Sequence, residues 1–425
     1  MSDKIINTTQ SPFLPTWFNV SVYLSLIFLA FGVFTSISLP SLFHILMIAP
    51  IIFSLIIKKQ KIQWKLSSYF LVGFVIWHLV SFAYNFPQNN TSFESYHLGK
   101  IKYWLFAILA IVPLNLYFHQ KNLWPLKRHQ HILIFFGLGI ILSASYGLIG
   151  QVFDFDLLTF SRRVFEHREA GLIEEMRYGY ASSLIIIAIA SFLLHKYKTL
   201  KKSHLIFSTL VLLMAMIGLL GTQTRGAIVS FLCSLVFVFY FYKKKWGLIY
   251  LVTFVIATAS FFAIRPHLQQ ITKHRFINTH DVRVSNGKRL GQYQAALYAF
   301  KDNKMFGLGP NQFQNFCSWI KMNYQIPFPN YQSHSHNIFL EQMANLGLLG
   351  FVFFLGWLLA WIWELYALSK TANPLPAFII IPAIFNFMIG GQFELNLDSV
   401  NSFIICALYT LSGIQWNNPQ TLKHS

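Results

Sequence analysis

The chain has 425 residues, of which 55% are hydrophobic, 17% aromatic and only 11% charged, with a net charge of +19. Soluble domains carry roughly a quarter charged residues, so this composition excludes a soluble enzyme, a disordered chain and a disulfide-stapled secreted scaffold. The positive balance is not that of a nucleic-acid binder either, because it sits in short clusters between apolar stretches long enough to cross a bilayer.

A span needs roughly 20 mostly apolar residues. Twelve such stretches are read in chain order: 17–38, 41–57, 67–85, 102–118, 132–152, 179–195, 204–221, 226–242, 247–265, 347–366, 375–391 and 400–416. The first is of spanning length and lacks a small-residue cleavage site, which predicts a span rather than a cleaved leader. The three cysteines, Cys233, Cys317 and Cys406, lie far apart with no metal or disulfide spacing and read as packing residues.

Lysine clusters at 58–65, 121–131, 196–202 and 242–245 fall in every second loop, which predicts that those loops and both termini are cytoplasmic. The opposite loops, 86–101, 153–178, 222–225, 266–346 and 392–399, then face outward. Three regions follow: spans 1–9 over 1–265, a large outer loop with helical pieces over 266–346, and spans 10–12 with a tail over 347–425. Nine of the ten arginines, all but Arg128, lie on the predicted outer side, where topology has no use for them. Arginine offers a planar fork that pairs bidentately with phosphate or carboxylate. Twelve of the fourteen acidic residues share that side, so about half of these arginines are expected in structural ion pairs or at headgroups and the rest on an anionic ligand.

Within the large loop, 288–303 carries apolar residues at helical spacing, 307–313 (GLGPNQF) reads as a tight turn, and 333–350 leads into the tenth span. The Gly307-x-Gly309 pair has Gln312 at the third glycine position and no βαβ context, so it predicts positive φ and not a dinucleotide fingerprint. His334 and His336 precede a helix that Ser335 is expected to cap. The pair has no third ligand at a recognisable spacing, with Glu341 expected to face elsewhere, so no metal is predicted. For His336, position leaves two readings open: an imidazole that only hydrogen-bonds the loop, or one kept neutral by the helix N-terminus and available as a base. Arg225 sits in a short turn beside Thr222-Gln223-Thr224 at headgroup level, and Arg289 heads the loop helix. No Ser-His-Asp order, H-E-x-x-H, P-loop or C-x-x-C pattern occurs, which sets aside an ATP-driven pump.

Three spaced motifs, TQTRGA (222–227), GKRLGQYQAALYAFKDNKMFGLGPNQF (287–313) and SHNIFLEQMANLGLLG (335–350), resemble those of the O-antigen ligase/polymerase superfamily, with a weaker echo in 168–181. Tyr293 stands where that pattern usually has tryptophan. The resemblance implies an all-α, GT-C-type membrane glycosyltransferase without a cofactor, in the bacterial inner membrane with its active site facing the periplasm. By motif position it makes His336 catalytic and Arg225 and Arg289 contacts for a lipid pyrophosphate. Arg163, Arg168, Arg177 and Asn337 follow as further substrate-binding candidates. The implied donor is a glycan on undecaprenyl pyrophosphate and the implied acceptor a lipid A-core hydroxyl, with another repeat unit (polymerase) or a protein hydroxyl (oligosaccharyltransferase) as alternatives. A flippase would instead show internal repeats and mid-span charges.

Overall fold

The computed structural model describes residues 14–36, 38–60, 64–87, 101–118, 126–153, 155–156, 161–162, 174–222, 224–243, 280–326, 334–371, 373–395 and 399–416, with a few isolated positions. The described elements are helical apart from one two-residue antiparallel pair, Phe155–Asp156 with Ser161–Arg162. Helices α1 (Thr16–Thr35), α2 (Leu39–Ile52, continued by a π turn Phe53–Ile57), α3 (Leu66–Asn85), α4 (Ile101–Leu109) and α5 (Ile111–Phe118) are followed by α6 (Leu126–Phe153), α7 (Glu175–Lys196), α8 (Lys202–Gly221) and α9 (Arg225–Tyr242). Then come α10 (His280–Asp302), α11 (Phe313–Asn323), α12 (Ile338–Leu368), α13 (Leu375–Gly390) and α14 (Ser399–Trp416).

Among the described residues nine helices are long and apolar enough to cross a membrane, α4 and α5 counting together, and two shorter apolar segments lie at Leu375–Gly390 and Asn401–Gly413. Each coincides with a span read from hydropathy; the stretch 247–265 lies for the most part outside the described residues. The chain is an all-α polytopic membrane protein. Large apolar side chains such as Trp363, Ile45 and Leu213 point outward on these helices, as bilayer hydrocarbon rather than water requires.

Between helices in lipid, small and polar side chains supply specificity that hydrophobicity cannot. Asn386 of α13 donates to Ser183 of α7 at 2.7 Å, and Ser183 lies 3.2 Å from Ser230 of α9. This buried network fixes α7, α9 and α13, which also pack pairwise along their lengths. On the other flank α12 packs against α3, and Ser67 donates through its amide and hydroxyl to Glu364 at 2.8 and 2.6 Å. That acid, in the last turns of α12, is thereby satisfied.

α12 is broken at Gly347, where φ is 68° and ψ −165°. The freed carbonyls are all taken up. Leu308 and Gly309 amides donate to the Ala344 and Asn345 carbonyls, both at 2.9 Å, and the Trp77 indole donates to the Leu346 carbonyl at 2.8 Å. The predicted G-x-G turn therefore does have positive φ, at Gly307 (67°) and Gly309 (103°), and its task is to dock onto the kink. A Cβ on Gly307 would overlap the Asn345 carbonyl, and one on Gly347 the Met305 carbonyl. Only glycine lets the two backbones approach so closely.

Candidate active site

The two loop helices and the start of α12 enclose a small core of Ala295, Ala299, Phe313, Cys317, Ile320 and Ala344. Around it the backbone presents polar groups. Asn337, not Ser335, caps α12: its side-chain oxygen accepts from the Phe339 and Leu340 amides at 3.0 and 3.1 Å, and its amide donates to Gln392 Oε1 at 3.1 Å. Ser335 cannot cap because its hydroxyl turns back to the Asn337 carbonyl. Glu341 accepts from the Ser335 amide at 2.7 Å and from Asn345 Nδ2 at 3.0 Å, and is not in the His334, His336 and Glu394 group.

With the cap at Asn337, His336 is left in the left-handed region at φ 52°, a conformation that strains a residue with a side chain. The turn brings the His334 and His336 rings together, centroids 4.3 Å apart, and both meet one carboxylate. Glu394 accepts from His336 Nδ1 at 2.9 Å through Oε2 and at 3.0 Å through Oε1, and from His334 Nε2. Glu394 and His336 are each 7% exposed. Burial alone would push the Glu394 carboxyl up, but the two histidines outweigh it and hold the group well below the usual carboxylate range. An ionised carboxylate only accepts, so His336 donates to it from Nδ1, and in the neutral ring the lone pair is then on Nε2.

Glu394 is the residue the sequence did not reveal. It lies 58 residues beyond His336, in the turn that follows α13. The turn is stitched to the start of α12 and to α10: the Ile338 amide donates to the Gly391 carbonyl at 2.7 Å, and the Tyr293 hydroxyl donates to the Gln392 carbonyl at 3.0 Å. The missing third ligand for the histidine pair is also supplied here, since ligand atoms of His334, His336 and Glu394 all lie within 4.8 Å of one another.

Two of the predicted arginines stand on elements near this cluster. Arg289 and Tyr293 stand one turn apart on α10 and both lie within electrostatic reach of Tyr180, and Tyr293 also lies within reach of Glu394. Burial pushes the Tyr293 phenol up, Arg289 opposes the shift and Glu394 adds to it. Arg225 is the first residue of α9, and the next residue, Gly226, lies so close to Tyr180 and to Phe393, the neighbour of Glu394, that a Cβ there would overlap both. Two helix N-termini, of α9 and α12, thus open beside the cluster, and such ends favour anions. The other predicted contacts differ. Arg177 is held by Glu174 at 3.1 Å in a partly exposed ion pair. Asn337 is engaged as the cap. Arg163 and Arg168 lie outside the described residues.

Residues 209–355 match the family model described as O-Antigen ligase. The chain resembles the O-antigen ligase/polymerase superfamily. The match contains Arg225, Arg289, His336 and Asn337, and supports a glycosyltransferase-like enzyme of O-antigen processing; Tyr180 and Glu394 fall outside it. No curated protein matches the chain.

Proposed function

We propose that the protein is an O-antigen ligase that moves a glycan from undecaprenyl pyrophosphate to a lipid A-core hydroxyl on the outer face of the inner membrane. The observation that carries the reading is the buried Glu394–His336 pair, with Arg225 at the start of α9 and Arg289 near the middle of α10 on the elements around it. His336 Nε2 takes the proton of the acceptor hydroxyl, whose oxygen attacks the anomeric carbon from the face opposite the leaving group. The bond from that carbon to the pyrophosphate oxygen breaks, and undecaprenyl pyrophosphate departs with the electron pair. Glu394 holds the imidazole in the tautomer that leaves Nε2 basic and then pairs with the imidazolium, a division of labour known from hydrolase triads. Arg225 and Arg289 neutralise the charge growing on pyrophosphate, the part metal ions take in other enzymes with phosphate leaving groups. General-base help contributes roughly 10²–10⁴-fold, and each charge-assisted contact to the leaving group roughly 1.5–3 kcal/mol. In this reading Arg163, Arg168 and Arg177 serve the acceptor's anionic groups, Arg177 from within its ion pair with Glu174. An apolar cavity of about 640 Å³, bordered by Leu26, His44, Phe106, Phe207 and Phe403 among others, is in keeping with a lipid substrate.

The test is a deletion strain with the lipid-linked glycan pathway intact, restored with wild type, His336→Ala or Arg225→Ala. Wild type alone should rebuild the lipopolysaccharide ladder while all three proteins reach the membrane in equal amounts. A ladder collapsed to one repeat would transfer the same chemistry to a polymerase, and an intact ladder with an altered glycoprotein would transfer it to a protein acceptor. Near-normal ladders from either variant would remove that residue from the mechanism.

A further inference from the structure

The proposed transfer uses His336 and Glu394 but gives no task to His334, although its Nε2 also binds the Glu394 carboxylate. His334 is the more open of the three, with 31% of its side chain exposed against 10% for each of the others. The strained φ of His336 turns both rings toward the one carboxylate, so the arrangement is built into the backbone.

We infer that His334, His336 and Glu394 form a binding site for a divalent transition metal of the zinc type, and that its occupation switches the proposed transferase off. The inference rests on the proposed role of His336. Two imidazole nitrogens and one carboxylate oxygen, all within 4.8 Å of one another, are the donor set of an open zinc site, with a fourth position for water. Magnesium and calcium prefer oxygen cages, so the mixed set selects against them. The exposed edge of His334 gives the ion a way in, and no large rearrangement is needed.

The inhibitory effect follows from proton positions. Without metal, the His336 proton sits on Nδ1 and points at Glu394. A metal on Nδ1 displaces that proton, and the neutral ring retains it on Nε2. The lone pair that would receive the acceptor's proton is then gone. No proton is lost from the ring overall; it changes nitrogen. Pyrophosphate binding at Arg225 and Arg289 is untouched, so the metal suppresses turnover rather than donor binding.

The experiment uses full-length protein in detergent, without a histidine tag and stripped by chelator. Zinc uptake is measured by calorimetry and by metal analysis, and Co²⁺ binding by its visible absorption. Wild type should take up one equivalent, and His334→Ala and Glu394→Gln should bind at least about tenfold more weakly. His131→Ala, at an exposed histidine elsewhere, should match wild type. Absence of a stoichiometric site, or equal binding by all variants, would overturn the inference. These readouts need no glycan substrate, so they stand or fall separately from the transferase reading. Where transfer is assayed, zinc should abolish it and chelator restore it, and His334→Ala should need at least about tenfold more zinc. A filled site with transfer undiminished would refute the proton argument.

Discussion

Glu394→Gln removes one negative charge while keeping the length and shape of the side chain. In the native protein the carboxylate accepts from His336 Nδ1 at 2.9 Å and from His334, in a pocket that leaves it 7% exposed. The carboxamide oxygen still accepts one of those bonds, but its nitrogen is a donor and meets the other ring donor-to-donor. The ground state therefore loses one hydrogen bond, roughly 1–3 kcal/mol in a buried site. The transition state loses more, because the imidazolium that forms no longer faces an anion. Two charges about 4 Å apart at an effective dielectric near 20 interact by about 4 kcal/mol. Together with the tautomer left unfixed, this predicts a fall in the transfer rate of about 2–4 kcal/mol, or roughly 30- to 1,000-fold. KM for the lipid-linked donor should stay close to wild type, since the arginine contacts are unchanged. The assay is transfer from purified lipid-linked donor in detergent, beside thermal unfolding of the same preparation. A folded Glu394→Gln protein working within about threefold of wild type, a barrier change of less than 1 kcal/mol, would refute the pairing as part of the mechanism.

Further outcomes follow from the backbone. Gly226→Ala places a Cβ onto the Tyr180 hydroxyl and 2.7 Å from Phe393 Cβ, so it should displace the start of α9 and cost transfer well beyond its stability loss of about 1–3 kcal/mol; adding Tyr180→Phe should restore part of it, and an active, normally stable single variant would contradict this. Asn337→Ala removes the cap of α12 and should lower stability by about 1 kcal/mol, whereas Asn337→Asp keeps the acceptor and should melt like wild type; equal melting of Asn337→Ala and wild type would return this residue to a purely substrate-facing role. Gly347→Ala forces a side chain into φ 68° against the Met305 carbonyl and 2.8 Å from the Gly307 amide, and should give a protein that unfolds at markedly lower temperature in detergent.

Much of the bundle was legible because hydropathy is additive along a helix: the described spanning helices start and stop within a few residues of their apolar runs, except Ile338–Leu368, which begins nine residues before the run at 347–366. The G-L-G turn was legible because positive φ leaves a residue-type signature, at Gly307 and Gly309. The cap was misread by two residues, because Ser335 and Asn337 are equally good capping types and only the strained His336 between them decides which one faces the helix. Glu394 was not legible at all. It reaches His336 through the fold of α12 against α13 and has no fixed spacing to the histidines. The available hint was that it is one of only three acidic residues beyond Gly350, in a turn predicted to lie on the same side of the membrane as His336.

The break at Gly347 has a mechanical consequence for an enzyme that lives in a bilayer. Membranes differ in hydrocarbon thickness, and a spanning helix accommodates the difference by tilting. An unbroken α12 would carry any such tilt straight to His336, eleven residues away. Here the segment Ile338–Leu346 is fastened by Leu308, Gly309 and Trp77 to neighbouring elements, while the remainder of α12 leans on α3. The glycine gives the two parts of α12 separate directions, so the turn that carries His336 is set by its own bonds and not by the line of the spanning helix.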